Sequence, residues 1–390
     1  MRYYHTPTLF DGLGNVVFNV YIGINNESVI TSLSTTAPVA TDAIIYIKGA
    51  VMPAMVNAHC HLELSYLQGK ISKRTGINDF IAELESLKTN DTNTIQYHAQ
   101  EAQQAMRNNG IIAVGDISNT DATFAIKAQQ QLYYHTFVEL YGFSPSRAQT
   151  AYTNGLKLLS KLPKATASLT PHAPYSVSKQ LLQLINDHCK LNNAPLTIHT
   201  QESKAENEFF EYATGKTFNR IHSFGIDLSN HLPTQQSAMH YIAPQLPPTL
   251  RTQYVHNTFT TAHDVELAQA LNPTSYWCLC PNANIYIENS LPNIPMLLQH
   301  NALVTLGTDS LASNDQLCIV AEMKTLQHHY QQLPTALLVQ WATHNGAKFL
   351  GIDATHGSIA IGRKAQLVEL QSYNHEIQSL MGVTPRVIYC

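Results

Sequence analysis

A chain of 390 residues, 44% of them hydrophobic, can bury one large barrel or two to three ordinary domains. Charged residues make up only 13%, the net charge is −4 and no basic block occurs, which argues against nucleic acid as a partner. No apolar run reaches the roughly 18 residues of a membrane span, and Met1-Arg2-Tyr3-Tyr4-His5 lacks the apolar core of a signal peptide, so a cytoplasmic protein without a membrane partner is expected.

In chain order, residues 1 to about 50 read as short strands. The β-rich runs are 16–22 and 43–47, and Asp11-Gly12 and Asn25-Asn26 are turn signals. The C-terminal segment is similar, with β-rich runs at 357–362 and 365–370. Residues 1–50 and 352–390 are therefore expected to build one small β-sandwich domain from both ends of the chain. Between them, 51–351 alternates strand and helix. Candidate strands are 51–58, 111–116, 134–140, 166–170, 195–199, 252–256, 275–280 and 303–308, with helical patterns such as 178–191 and 261–271 between them. Strand alternating with helix predicts parallel βαβ units, and eight of them predict an α/β fold of the (β/α)8 TIM-barrel type. The longest insertion, 203–250, carries Pro233, Pro244, Pro247 and Pro248 and reads as helical segments joined by a stiff loop. Cys60, Cys189, Cys278, Cys280, Cys318 and Cys390 show no disulfide rhythm and read as reduced thiols. Cys278-x-Cys280 has no second Cys pair and reads as strand packing.

His59-Cys60-His61 closes an apolar run. Residues two apart on a strand point to one side, so both imidazoles can meet one metal ion. With 19 histidines, about one His-x-His pair is expected by chance, so the motif needs partners. It has them in His199, His256 and Asp309, each of which also ends an apolar run. In a barrel of this kind all five face one mouth, at the C-terminal ends of the strands. Other histidines, such as His98, His328 and His329, lie in polar helical stretches and read as surface residues.

This arrangement resembles the amidohydrolase superfamily: His-x-His on strand one, His on strands five and six, Asp on strand eight. Ala342-Thr343-His344-Asn345-Gly346-Ala347 and Gly357-Ser358-Ile359 extend the likeness to the C-terminal segment. Gln366 stands where the family often has Asp, and Ala54 where it often has Gly. Two-metal members bridge their ions with a modified lysine ending strand four. Here that strand runs into Thr170-Pro171-His172-Ala173-Pro174 without one. The resemblance thus implies one divalent metal held by His59, His61, His199 and Asp309. Nitrogen and oxygen donors suit Zn²⁺, and Fe²⁺ fits as well. Such an ion lowers the pKa of bound water to about 7. Asp309 would orient that water, Glu202 would shuttle protons to a ring nitrogen and a departing amine, and His256 would hydrogen-bond the attacking oxygen.

Within the superfamily the chain resembles the nucleoside and heterocycle deaminases, and among them the aminodeoxyfutalosine deaminases of an alternative menaquinone route. The matching segments include Asn57-Ala58-His59-Cys60-His61-Leu62-Glu63-Leu64-Ser65, Pro171-His172-Ala173-Pro174-Tyr175-Ser176-Val177 and Thr308-Asp309-Ser310-Leu311-Ala312-Ser313-Asn314. The likeness implies hydrolysis of an aminated purine nucleoside, aminodeoxyfutalosine to futalosine plus ammonia, by an enzyme whose relatives are often homodimers. It implies substrate contacts from Glu63 near the entrance and His172 near the ribose or ring. A loop carboxylate bonded to backbone and a turn cap are the plain alternatives for these two. Arg147, with Arg74 and Lys73 as alternatives, would meet the benzoate-like group. The same site acting on S-adenosylhomocysteine, methylthioadenosine, guanine or a triazine is the nearest rival. A non-catalytic scaffold with the same fold is a rival of another class, and the intact ligand set weighs against it.

Overall fold

A computed structural model describes residues 1–39, 43–226, 228 and 233–389. The strands, in chain order, are β1 (Arg2–Phe10), β2 (Val16–Ile24), β3 (Ile30–Ser34), β4 (Ile44–Tyr46), β5 (Ala50–Pro53), β6 (Met55–Cys60), β7 (Ile111–Ser118), β8 (Tyr133–Leu140), β9 (Ala167–Pro171), β10 (Leu196–Thr200), β11 (Thr252–His256), β12 (Ser275–Leu279), β13 (Leu303–Leu306), β14 (Leu367–Gln371) and β15 (Thr384–Tyr389). The chain divides into two compact units. One holds Met1–Ala58, Gln103–Val114 and Cys318–Cys390, the other His59–Ala102 and Gly115–Leu317.

In the first unit, strands from both ends of the chain form a seven-stranded sheet in the order β15-β14-β5-β1-β2-β3, with β4 paired to β1. Its core is aliphatic: Leu9, Val20, Ile22, Ile24, Ile30, Val51 and Leu367 are buried together. The β-rich run 357–362 does not become a strand. Gly357 and Gly362 take left-handed backbone (φ 82° and 89°), and the segment bonds singly, Ile359 N–H to Asp11 O and Gly362 N–H to Ile30 O. The run 51–58 also departs from expectation. It splits at Ala54, whose N–H bonds Gln366 O, so that β5 pairs with β1 and β14 while β6 joins β7.

The eight strands β6 to β13 form the barrel, in two parallel runs, β6-β7-β8-β9 and β10-β11-β12-β13. Strands β6, β7, β9, β10, β11 and β12 are buried at every residue, as expected of strands covered on both faces. Side-chain hydroxyls help to join the runs. Thr170 accepts the Thr197 N–H at 2.9 Å and donates to Thr197 O, and His199 N–H reaches His172 O at 2.9 Å. At the other seam Cys60 bridges Asp309 in parallel register, and His59 O accepts both Thr308 N–H and Asp309 N–H at 3.1 Å. The expected helices are present as Lys179–Asn192, capped by Ser178, and Ala262–Leu271, where Thr261 and Asp264 form a capping box. The insertion holds helices Lys204–Tyr212, Gly215–Ser223 and Ala238–Ile242. Among the described residues no helix is long and apolar enough to cross a membrane.

The closing seam is tight. A Cβ added at Gly307 would stand 2.7 Å from His59 Cβ, 2.9 Å from His59 O and 3.0 Å from Cys278 Sγ. Gly307→Ala must therefore push β6 away from the loop that carries Asp309. The expected outcome is a loss of about 1–3 kcal/mol, the scale of overpacking a core, read as a lower Tm.

Candidate active site

The barrel brings His59, His61, His199, His256 and Asp309 to one end, each at or just beyond a strand terminus and each buried. His61 Nε2 lies 3.2 Å from His59 Nε2 and 3.3 Å from His199 Nε2. Asp309 Oδ1 is 3.5 Å from His61 Nε2 and 3.7 Å from His59 Nε2. Donors about 2.0–2.1 Å from a tetrahedral ion stand about 3.3–3.4 Å apart, so these spacings fit such an ion. His199 Nδ1 donates to His172 O at 2.9 Å, which leaves Nε2 as the lone-pair nitrogen facing the cluster. Asp309 turns its other oxygen to the Ser313 hydroxyl, 2.6 Å away.

The backbone is unusual where these residues sit. Gln201, His256, Asn257 and Asp309 all have positive φ (50°, 77°, 57° and 56°) although none is glycine. Such conformations are costly outside glycine and gather at functional sites. Here they turn the chain out of β10, β11 and β13 while keeping the side chains over the barrel mouth.

Burial decides the protonation of the imidazoles. It holds His59 well below the usual histidine value, helped by His199, His61 and His256, and brings His61 down to about 4 against the pull of Asp309. Neutral rings are what a metal requires. Burial also pushes Asp309 up, but His61, His256 and the Ser313 hydroxyl outweigh it and keep the carboxylate ionised. Glu202 is the opposite case. It is 5% exposed, and burial pushes its carboxyl up to about 8, with Asp309 and Glu288 raising it and His199 opposing. It is protonated at neutral pH. Its Oε1 lies 3.6 Å from His256 Nε2. His256 Nδ1 bonds Asn284 Oδ1 at 2.9 Å, so Nε2 is the free nitrogen of the neutral ring.

The remaining expected residues take different positions. His172 is beside the cluster, its ring 5.0 Å from that of His199, with Nδ1 bonded to Ser176 Oγ at 2.8 Å. Its pKa is held well down by burial, then by the charges of His199, Arg220 and Lys88. Glu63 follows the ligand pair into a short 3-10 helix, Leu62–Leu67, and both its oxygens are engaged. They accept the N–H groups of Asn119 and Thr120 and the Thr120 hydroxyl at 3.0, 3.2 and 2.9 Å. Arg147 is exposed and begins the helix Ala148–Leu159. Lys73 pairs with Asp315 at 2.9 Å, and Arg74 is exposed.

Several participants carried no sequence signal. Asp116, at the end of β7, accepts the Leu62 N–H at 2.8 Å directly after His61, and pairs with Lys127, which also donates to Ser118 and Thr136. Both members of this pair are buried. Asn119 donates to Glu139 at the end of β8, at 2.9 Å. A carboxylate one strand away from a ligand is visible only once the strand ends are assembled.

Comparisons with known proteins find relatives over most of the chain. The amidohydrolase family profile matches residues 50–388. An adenosine deaminase of Helicobacter pylori is 27% identical over 326 residues, 81% of this chain and 78% of its own. An aminodeoxyfutalosine deaminase of Deinococcus radiodurans is 25% identical over 317 residues, 78% and 74%. The crystal structure of Helicobacter pylori aminofutalosine deaminase in complex with methylthio-coformycin superposes with a TM-score of 0.83 at 21% identity, covering 100% of this chain and 98% of that one. At that identity the superposition speaks for the fold.

The Asp116–Lys127 pair gives a test of how the ligand strand is held. Lys127→Met leaves a buried carboxylate without its cation, at a cost of about 3–5 kcal/mol. A Tm lower by about 5 °C or more is expected, with most of the loss recovered when Asp116→Asn is added. No recovery in the double variant would show that Lys127 acts through packing alone.

Proposed function

The chain belongs to the amidohydrolase family, and on that premise we propose that it is a hydrolytic deaminase of an adenine-type nucleoside with one divalent metal, zinc or Fe²⁺, per chain. The observation that carries the reading is the pairing of an ionised and a neutral carboxyl, Asp309 and Glu202, around one cluster of lone-pair imidazole nitrogens. His59, His61, His199 and Asp309 would hold the ion. When bound, the ion supplies Lewis-acid activation of water, lowering its pKa from 15.7 to about 7.

The chain's own residues then divide the proton work. Glu202, protonated at neutral pH, gives its proton to ring N1 as the water oxygen bonds to C6. His256, neutral and with Nε2 free, accepts a hydrogen bond from the attacking oxygen and takes up its proton. Asn284 keeps the ring in that tautomer. Asp309, fixed by Ser313, orients the water. The Glu202 carboxylate then takes the second hydrogen of the water and passes it to the exocyclic amine, the C6–N bond breaks and ammonia leaves, and the proton held by His256 returns to Glu202. The water oxygen remains as the C6 carbonyl and N1 keeps its hydrogen.

For the substrate we favour aminodeoxyfutalosine, which places the enzyme in menaquinone biosynthesis. Support comes from the segments around Glu63, His172 and Asp309 and from the relative of that name. Its aryl carboxylate needs a cation. Arg220, on the helix Gly215–Ser223, is partly buried, donates to Glu85 at 3.3 Å, lies over the Phe224 ring, and its charge lowers the pKa of His172. It is our first choice to read that group, ahead of the exposed Arg147.

Two measurements test these assignments. Asp309→Ala is expected to lose metal and activity together, from about one equivalent per chain. Glu202→Gln keeps the metal and lowers turnover by about 10² or more. Because the protonated acid is the working form, kcat/KM falls as pH rises through the raised Glu202 pKa, and Glu202→Gln lacks that limb. Turnover equal to wild type would assign the shuttle to another residue.

The second is ammonia release across a panel of aminated nucleosides. Aminodeoxyfutalosine is expected to exceed adenosine and methylthioadenosine by about 10² in kcat/KM, the scale of one well-placed charged hydrogen bond. Arg220→Gln should remove that advantage and Arg147→Gln should not. Equal activity on adenosine in the wild type overturns carboxylate recognition while leaving deamination intact.

A further inference from the structure

Gln201, the residue before Glu202, is fully buried and holds a left-handed backbone (φ 50°) although it is not glycine. Such a conformation costs free energy and persists where the surroundings over-determine it. Here the side chain supplies the constraint. Both amide hydrogens are used, Nε2 donating to Asp264 Oδ2 at 3.0 Å and to Asn207 Oδ1 at 3.2 Å. Oε1 accepts the Thr260 hydroxyl at 2.8 Å. The polarity of this set is fixed from outside. Asn207 Oδ1 accepts the Ala238 N–H at 3.1 Å and its Nδ2 donates to Phe259 O at 3.3 Å, so its amide has one orientation. Burial pushes the Asp264 carboxyl up, but hydrogen bonds from Ser237, Gln201 and Thr261 outweigh it and keep the group an ionised acceptor.

Three segments meet at this side chain: the helix Lys204–Tyr212, the stretch that leaves β11, and the start of the helix Ala262–Leu271. The backbone is tied to the same neighbours. Gln201 O accepts the Phe259 N–H at 3.0 Å, Thr200 O accepts the Asn257 N–H at 3.1 Å, and the Glu202 N–H donates to Glu206 Oε2 at 3.3 Å. The turn that leads from β10 to Glu202 is thereby bonded to the turn that follows His256. Glu202 and His256, which divide the proton work, stand 3.6 Å apart. None of the three side-chain bonds of Gln201 goes to a member of the metal cluster.

We propose that Gln201 is a positioning residue for proton transfer: clamped by Asp264, Asn207 and Thr260, it aims Glu202 and fixes its separation from His256. It acts through Glu202 and not on the substrate. This role rests on the deaminase reading, with Glu202 as the shuttle. A misplacement of about 1 Å at a reacting group costs about 10²-fold in rate, which sets the scale of the effect.

The test measures kcat, KM and metal content for Gln201→Met in two backgrounds, wild type and Glu202→Gln, on the aminated nucleoside that wild type deaminates fastest. Methionine keeps the length of the side chain and loses its three hydrogen bonds. In the wild-type background kcat is expected to fall about 10- to 100-fold, with KM within about twofold and metal content unchanged. In the Glu202→Gln background no further fall is expected, because the acid to be aimed is gone. A merely structural role lowers both backgrounds by the same factor. Thr260→Val removes one of the three bonds and leaves Gln201 in place, so it serves if Gln201→Met does not fold. It should show the same pattern at about 3- to 10-fold. Three results overturn the role: equal losses in both backgrounds, unchanged kcat for both variants, or a fall in metal content, which would make Gln201 a support for His199. If Glu202→Gln alone turns over like wild type, or wild type releases no ammonia from any aminated nucleoside, the shuttle or the deaminase reading fails first and the positioning role with it.

Discussion

The site depends on the bond pair that closes the barrel. His59 O accepts two N–H groups, from Thr308 and Asp309, while the His59 side chain faces the cluster. One residue thereby ties the first ligand strand to the last. The separation of His59, His61 and Asp309 is set by backbone hydrogen bonds, which vary little, and not by long flexible side chains. The seam leaves no room beside His59 for a side chain at position 307, which accounts for Gly307. The left-handed backbone at His256 and Asp309 follows from the same constraint, because each strand must turn outward while its terminal side chain stays over the mouth.

The second organising effect is burial acting on unlike neighbours. Asp309 and Glu202 are both buried carboxyls in one site, yet they hold opposite charge states. Asp309 receives a hydroxyl from Ser313 and faces imidazoles, so the ionised form is stabilised. At Glu202 burial outweighs the pull of His199, and Asp309 and Glu288 add to it, so the protonated form is favoured. Environments that push two titratable groups apart divide the acid and base roles between them.

Much of this was legible before the fold was known, for identifiable reasons. The eight barrel strands are short, largely apolar runs bounded by turn residues, and each predicted segment overlaps one of them, the first also running through β5. The caps at Ser178 and Thr261 mark their helices because a hydroxyl there serves an otherwise unpaired N–H. His59, His61, His199, His256 and Asp309 were readable because strand termini bearing metal-type side chains are rare. The segment 357–362 misled because β-forming residues lay between two glycines whose backbone cannot continue a strand. For a substrate carboxylate the chain's order pointed to Arg147, which is exposed, while the cations whose charges reach His172 are Arg220, on a helix inserted after β10, and Lys88.

What the sequence by itself determined is local: the strand and helix pattern, the ends of those strands, and the ligand types they carry. These follow from backbone sterics and side-chain polarity within a few residues. Tertiary structure decided the partners. Asp116 reaches the turn after His61, Asn119 links Glu63 to Glu139, and Ser313 holds Asp309, through contacts that exist only when the strand ends lie side by side. It also decided charge, because desolvation depends on what surrounds a group in space. A glutamate reads the same in sequence whether it ends up ionised at the surface or protonated in a barrel mouth.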